Sequence, residues 1–226
     1  MSEFEPVARR STPEIIADQL RERILDGTLA PGTQLGEAAL ARSMEVSRGP
    51  IREAMQRLIQ EGLLENIRHR GVFVIELGPD DIADIYSARS FLERAAADAL
   101  MQRPDQEPLG TLADLLERLA AAADAKDWPR LSDLDLRFHE TIVMASHSIR
   151  LGRMFHTLMA ETRMCLAALE PAYPRPQDIV DEHRAMYEAI ADGRRDEALE
   201  RIDAHMVRAQ RKLAARRPDT AAEVVG

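Results

Sequence analysis

The sequence predicts a mainly α chain in two parts. The first is a helix-turn-helix with a small β-hairpin, and the second is an all-α helical bundle. Three observations carry this expectation. Aromatic residues make up only 4% of a chain that is 45% hydrophobic and rich in Ala, Leu, Met, Glu and Arg, a balance that favours helix over sheet. Strand-like runs are confined to the first 77 residues. From Gly78-Pro79 onward the apolar residues recur only at helical spacing.

The elements follow in order. "STPEIIADQLRERILDG" reads as a helix with Thr12 as N-cap, Pro13 at the first helical position and Glu14 near the positive dipole end. Ile15, Ile16, Leu20, Ile24 and Leu25 form its apolar stripe, and Gly27 supplies the stop. "LAPGTQL" is a Pro-Gly turn entering a short extended piece. "GEAALARSM" is an amphipathic helix of two to three turns, with Ala38, Leu40, Ala41 and Met44 as inward candidates. A third helix begins near Ser47 and runs to about Gly62, after which "LLENI", "RHRG" and "VFVIEL" read as two strands and a tight turn. Further helices are expected near 79–101, 107–125, 128–147, 150–170, 176–192 and 194–216. Their breaks fall at Pro104/Pro108, Trp128-Pro129, Ser146–Ser148, Pro171–Pro176 and Gly193, and residues 217–226 read as a frayed end. The domain boundary is placed between residues 77 and 78, giving domains 1–77 and 78–226.

Composition narrows the setting. With 226 residues the chain has material for one or two cores. No apolar run approaches the ~18 residues that span a bilayer, and "MSEFEPVARRSTPE" lacks a signal-peptide core, so a cytoplasmic protein without a membrane partner is expected. The single cysteine, Cys165, excludes an internal disulfide framework and fits a packing role in a reducing compartment. Net charge is −9 but uneven: residues 1–77 carry 10 Lys+Arg against 12 Asp+Glu, and the remainder 20 against 27. Within 47–72, Arg48, Arg52, Arg57, Arg68 and Arg70 outnumber Glu53, Glu61 and Glu65, with His69 beside them. A basic patch therefore sits inside an acidic chain, and the acidic second part is a poor nucleic-acid ligand.

"EVSRGPIREAMQRLIQEGLL" explains the patch. In a helix-turn-helix the second helix enters the major groove with its N-terminal residues on base edges. Ser47 is a good N-cap, and Gly49 and Pro50 fall in the first turn, where backbone N–H groups lack helical partners. Glycine there lets a phosphate or base edge approach the backbone. Arg48 and Arg52 are one turn apart on one face, while Ile51, Met55, Leu58 and Ile59 face the core. Arginine reads guanine bidentately. The alternative is a solvated charge face shared with Glu45 and Glu53. The hairpin tip then becomes a wing that sets Arg68, His69 and Arg70 against the sugar-phosphate backbone or the minor groove.

The segments "I.DG.L.PG..L.E..LA", "VSR.P.REA...L..EGLL" and "RGVFV" resemble the N-terminal winged helix-turn-helix of the GntR family of bacterial transcription regulators. The resemblance spans nearly all of the first domain. It implies DNA contact by Ser47, Arg48, Gly49 and Arg52, and a wing at Arg70 and Gly71. It also implies a homodimer on an inverted-repeat, double-stranded DNA operator, and a repressor more often than an activator. Two departures stand out. Glu45 occupies a turn position where the family usually has glycine, and Ala38 one where some members carry a DNA-contacting arginine.

In the second part, "DLDLRFHETIVMA" sets Asp135 and His139 one turn apart, and His183 and His205 lie on two later helices. One carboxylate and three imidazoles suit a divalent metal such as Zn²⁺, Ni²⁺, Fe²⁺ or Mn²⁺. Packed or exposed histidines are the alternative. This part resembles the helical FCD-type domain of the FadR-like branch, through "RSFLE" at 89–93, "DLRFH" at 135–139, "HRAMYEAIADG" from His183, and His205-Met206. That resemblance implies a divalent metal, zinc or nickel first, on Asp135, His139, His183 and His205, with a small organic-acid effector completing the shell. It implies that Arg89 pairs with the effector carboxylate; an i,i+4 salt bridge with Glu93 is the alternative. His156 and Arg163, about two turns apart on the next helix, are further candidates for the pocket. "His147-Ser148" stands where the branch usually has Gly-Asn.

No enzyme is expected. "HETIV" lacks the second zincin histidine because Val143 fills its place, and Val180 and Ile202 fill the positions a di-iron Glu-x-x-His pair would need. The rival readings are a metal-dependent hydrolase and a regulator whose second domain only dimerises.

Overall fold

The computed structural model describes residues 10–102, 106–166 and 173–214, which hold nine helices and three strands. The described residues divide into two compact units, one ending at Glu76 and the other starting at Leu77.

In the first unit α1 spans Thr12–Leu25, β1 Gln34–Leu35, α2 Glu37–Ser43, α3 Arg48–Gln60, β2 Leu64–Ile67 and β3 Gly71–Val74. Ser11, not Thr12, caps α1: its hydroxyl accepts from the Glu14 N–H, and Glu14 Oε2 accepts from the Ser11 N–H at 2.9 Å. Either residue type can cap, but only Ser11 has a glutamate three positions on to complete the capping box. Ile51, Ala54, Met55 and Leu58 of α3 are buried, as are Ile16, Ala17, Leu20 and Ile24 of α1, and the two helices pack together. Arg21 fastens the pair from outside, donating through Nε and Nη2 to the two oxygens of Glu61 at 2.8 Å each. Between α2 and α3, Glu45 adopts φ 53°, a left-handed conformation that costs a glutamate roughly 1–2 kcal/mol. The strands form an antiparallel sheet in the order β1-β3-β2, with Gln34 opposite Phe73 and Ile67 opposite Gly71.

The second unit is helical throughout its described residues: α4 Pro79–Gln102, α5 Gln106–Ala125, α6 Trp128–Ala145, α7 Ile149–Leu166, α8 Gln177–Ala191 and α9 Arg195–Ala214. Pro108 is no break, because it falls in the first turn of α5, where a missing N–H costs nothing. Asp127 caps α6 through the Arg130 N–H at 3.2 Å. The expected breaks at Pro104 and Pro171, the helix continuation over 167–170 and the frayed end at 217–226 lie outside the described residues.

Helices α4 and α9 run antiparallel, tied by Ser90 to Asp203 at 2.8 Å and by Arg195 to Asp98 at 2.6 Å. Their apolar stripes belong to two clusters. Ile85 and Tyr86 of α4 join Met206, Ala209 and Leu213 of α9 in a smaller one. Ala96, Ala97 and Leu100 of α4, with Ala198 and Ile202 of α9, join the main core that α5, α6, α7 and α8 complete. Between these stretches each stripe turns polar, at Arg89, Ser90 and Glu93 on α4 and at His205 on α9. A polar band thus crosses the interior. Burying such groups is costly unless they are paired, which makes the band the place to look for chemistry.

Candidate nucleic-acid interface and metal centre

In the first unit the start of α3 presents an exposed polar surface. Ser47 occupies the N-cap position, but its side chain makes no capping bond, so its hydroxyl is not committed to the helix. Arg48 is exposed and has no hydrogen-bond or ion-pair partner among the described residues. A Cβ added to Gly49 would meet nothing within 4 Å, so the chain's own packing does not require glycine there. Arg52 is exposed and pairs with neither Glu45 nor Glu53; its Nε donates to Glu37 Oε2 of α2 at 2.7 Å. The spacing of α3 alone cannot reveal a partner fifteen residues away on another helix.

At the hairpin tip Arg68, His69 and Arg70 are all exposed. His69 takes φ 63° and Gly71 φ 106°, which turn the chain tightly enough for the Arg70 N–H to reach the Ile67 carbonyl at 2.9 Å. Gln34 Nε2 donates to the Arg70 carbonyl at 2.6 Å, and the Arg70 guanidinium lies 5.2 Å from the Phe73 ring centroid. The wing is therefore braced from β1 while its cations stay outside.

In the second unit Asp135 and His139 of α6, His183 of α8 and His205 of α9 come together, with one potential ligand atom from each lying within 4.8 Å of the others. All four are buried. The three imidazole centroids are 4.9–5.1 Å apart, and Phe138 packs edge-on against His139 and His183.

Each imidazole is committed through Nδ1. His139 Nδ1 lies 2.5 Å from Glu93 Oε2, His183 Nδ1 2.7 Å from the Ile179 carbonyl, and His205 Nδ1 2.8 Å from Glu182 Oε2. An acceptor at Nδ1 places the ring proton there and leaves the Nε2 lone pair outward, the second-sphere pattern of metal-binding histidines. Among the described residues the buried Nε2 atoms of His139 and His183 have no hydrogen-bond partner, although Asp135 Oδ1 lies 3.2 Å from the latter. Orphaned buried nitrogens beside a buried carboxylate fit a divalent cation in both number and chemistry.

The electrostatics agree with this. Burial opposes charge on all four groups. It pushes His205 down to about 4, helped by His183 and His139 and opposed by Glu182 and Asp135. Burial and Arg89 likewise hold His139 low against the pull of Glu93. Burial would raise Asp135, but His183, His139 and His205 hold it well below the carboxylate range. His183 is raised despite burial, chiefly by Asp135. The group is therefore an ionised carboxylate, two imidazoles that burial biases toward the neutral form, His139 and His205, and a third, His183, that Asp135 biases toward the charged form and that must release its proton to bind a metal.

Arg89, 1% exposed, donates through Nε to Glu93 Oε1 at 3.0 Å, so the i,i+4 salt bridge is present. Its Nη2 is nevertheless buried without a partner among the described residues, and so is the hydroxyl of Tyr86, whose ring lies 5.0 Å from the Arg89 guanidinium carbon. His156 and Arg163 do not join the group. The inward face of α7 is Phe155, Met159, Thr162, Cys165 and Leu166, which leaves His156 exposed and Arg163 turned outward, 3.7 Å from Asp133. Burial pushes the Cys165 thiol up to about 12, which suits packing rather than reactivity.

Sequence reasoning missed Glu182 and Tyr86 and gave Glu93 only the pairing with Arg89, not its contact with His139. The available signal was position: Glu93 lies on the inward stripe of α4, and Glu182 directly precedes a site histidine.

Both units are similar to known proteins. The profile "Bacterial regulatory proteins, gntR family" matches residues 12–74, and that of the FCD domain matches residues 84–208. The HTH-type transcriptional regulator YdhC of Bacillus subtilis is 31% identical over 189 residues, covering 83% of this chain and 84% of that protein. The gluconate operon transcriptional repressor of Bacillus licheniformis is 32% identical, covering 84% of this chain and 80% of its own. A GntR transcriptional regulator from Rhodococcus sp. RHA1 superposes with a TM-score of 0.78 at 25% identity, over 92% of this chain and all of that one. At 22% identity, Escherichia coli McbR/YncC shares the fold with a TM-score of 0.75 over 92% of this chain and 99% of that one. No described helix is long and apolar enough to cross a membrane. The matched relatives are regulators rather than enzymes, and on the strength of both profiles this chain belongs to the GntR family of bacterial transcription regulators, with an FCD domain as its second half.

Proposed function

We propose that this regulator is a metabolite-responsive repressor. It binds an inverted-repeat operator as a homodimer, through Ser47, Arg48, Gly49 and Arg52 at the start of α3 and Arg68, His69, Arg70 and Gly71 in the wing. Domain 78–226 holds a divalent metal, zinc or nickel, on Asp135, His139, His183 and His205, and takes a small carboxylate beside it. The observation that carries the effector half is the set of buried groups with unused bonding capacity: Nε2 of His139 and His183, Nη2 of Arg89 and the Tyr86 hydroxyl. Once bound, the metal supplies positive charge and open coordination positions for an anion. Arg89 offers the carboxylate a charged donor and Tyr86 a neutral one. His139, Glu93 and Arg89 form one hydrogen-bonded run, so an anion at Arg89 and a cation at His139 act on the same carboxylate. The repressor assignment is supported by two relatives named as gluconate operon repressors.

The test starts with metal content, by mass spectrometry on untagged protein purified without chelator, for wild type and His139→Ala. About one divalent ion per chain, lost in the variant, is expected. Acetate, lactate, citrate and gluconate are then titrated into the protein–DNA complex, with an expected change in DNA affinity of about 1–3 kcal/mol for an effector. Metal absent after incubation with Zn²⁺, Ni²⁺ and Mn²⁺ would overturn the metal site. Metal bound with no response to any acid would leave dimerisation as the second domain's role.

A further inference from the structure

The two arginines at the start of α3 are not equivalent, and the difference lies in α2. Arg48 has no partner among the described residues, whereas Arg52, one turn on and 64% exposed, is held by Glu37. The contact is single and sideways. Glu37 Oε2 takes the Nε–H at 2.7 Å, and neither Nη of Arg52 donates to any described residue. We infer that Glu37 is a positioning residue for base reading, holding the Arg52 guanidinium by its Nε edge so that its Nη pair points outward for a guanine. This rests on the assignment of α3 as the base-reading helix.

Three physical facts support this role. A guanidinium carries five N–H groups in a rigid planar fork, so fixing the Nε edge also fixes the direction of the two Nη groups. A free arginine samples many rotamers, and an end-on guanine contact selects only a few of them. Glu37 is well placed to restrict that sampling, since it lies in the first turn of α2, which packs against α3, and its side chain is only 35% exposed. Second, an exposed ion pair adds little to fold stability, so stability does not explain an acidic group beside a DNA-reading arginine. Third, an isolated carboxylate at this surface repels phosphates and weakens DNA binding of every sequence. Ala38, next in the chain, has no polar side chain, so at the start of α2 the charged contribution to this surface is Glu37 alone.

These opposing effects make the inference testable. A positioning carboxylate should sacrifice general affinity for selectivity at one base pair. The experiment selects a motif from a randomised duplex pool with the full-length protein. It then measures Kd for the best duplex, for each single base-pair change in it, and for an unrelated duplex of equal length. Arg52→Ala should abolish discrimination at one base pair per half-site. Glu37→Ala should reduce discrimination at that same pair by about tenfold while binding the unrelated duplex more tightly than wild type. Glu37→Gln keeps an oxygen to accept from Nε and should retain most of the discrimination. Tighter binding of all duplexes by the same factor in Glu37→Ala would make Glu37 a mere charge and overturn the inference. So would relaxation at a different base pair, or equal relaxation in Glu37→Gln. If Arg52→Ala leaves every preference intact, or the wild type selects no motif, the base-reading assignment itself fails and the inference falls with it.

Discussion

His139 Nδ1 and Glu93 Oε2 lie 2.5 Å apart, with both side chains excluded from solvent. In a metal-binding histidine such a carboxylate fixes the tautomer and raises the basicity of the opposite nitrogen, and its loss typically costs 10–100-fold in metal affinity. Glu93→Gln preserves shape but removes the charge, so a loss of roughly that size is expected. Competition against a chromophoric chelator of known affinity measures it. Wild-type affinity in the variant would mean that His139 needs no help from Glu93, and the outer shell would have to be redrawn.

How much of this arrangement was legible beforehand follows from what a linear pattern can carry. The helices and the hairpin were legible because each depends on neighbours three or four residues away, or two, and on punctuation such as Gly27 and Gly193. The four residues of the buried group lie on three helices; their ligand chemistry suggested the set and the family resemblance strengthened it, while spacing ties only Asp135 to His139. Interactions between distant elements were not legible at all. Glu37 with Arg52 and Glu182 with His205 depend on helix packing angles that no periodicity encodes. His156 and Arg163 failed for a simpler reason. Seven residues apart, they share one face of α7, but that face is not the buried one.

Acidification should destabilise the metal-free protein in a defined window. His205 falls from 6.5 when unfolded to about 4 when folded, because the interior penalises its charge. Between those values the unfolded chain binds a proton that the folded chain does not, so the His205 contribution is lost as pH falls from 6.5 towards 4, below which the depressed carboxylates Asp135, Glu93 and Glu182 take over the loss. His205 alone accounts for on the order of 3 kcal/mol. His183 shifts upward, so its contribution is gained rather than lost on acidification and does not add to the drop. Urea midpoints of chelator-treated wild type and His205→Gln at pH 6.5 and 4.5 check this. The variant should show the smaller drop, and equal drops would locate the acid sensitivity elsewhere.

The start of α3 and the wing should separate in their response to sequence and salt. Arg48, exposed and without a partner, is assigned to a base edge, so Arg48→Ala should cost about 1–3 kcal/mol on the selected duplex and less on an unrelated one. Arg70, braced over Phe73, is assigned to the backbone. Arg70→Ala should weaken all duplexes alike and reduce the slope of log affinity against log salt by about one. Kd values at several salt concentrations distinguish the two. A sequence-selective loss with unchanged slope in Arg70→Ala would move the wing from phosphate contact to base reading.

Glu45 and Gly193 both take left-handed backbone conformations, at φ 53° and 67°, but only one has the residue suited to it. Glu45→Gly removes a steric penalty of roughly 1–2 kcal/mol and adds chain entropy to the unfolded state, for a net gain of about 0.5–1 kcal/mol. Gly193→Ala meets no atom within 4 Å, so its cost is the backbone penalty alone, of similar size and opposite sign. The single tryptophan, Trp128, starts α6 in the second unit and provides an internal control. Gly193→Ala should lower the midpoint followed by tryptophan fluorescence, whereas Glu45→Gly should leave that midpoint in place and raise the calorimetric transition of the first unit by a few degrees. If Glu45→Gly destabilises instead, its side chain makes a compensating contribution to the turn that outweighs the strain.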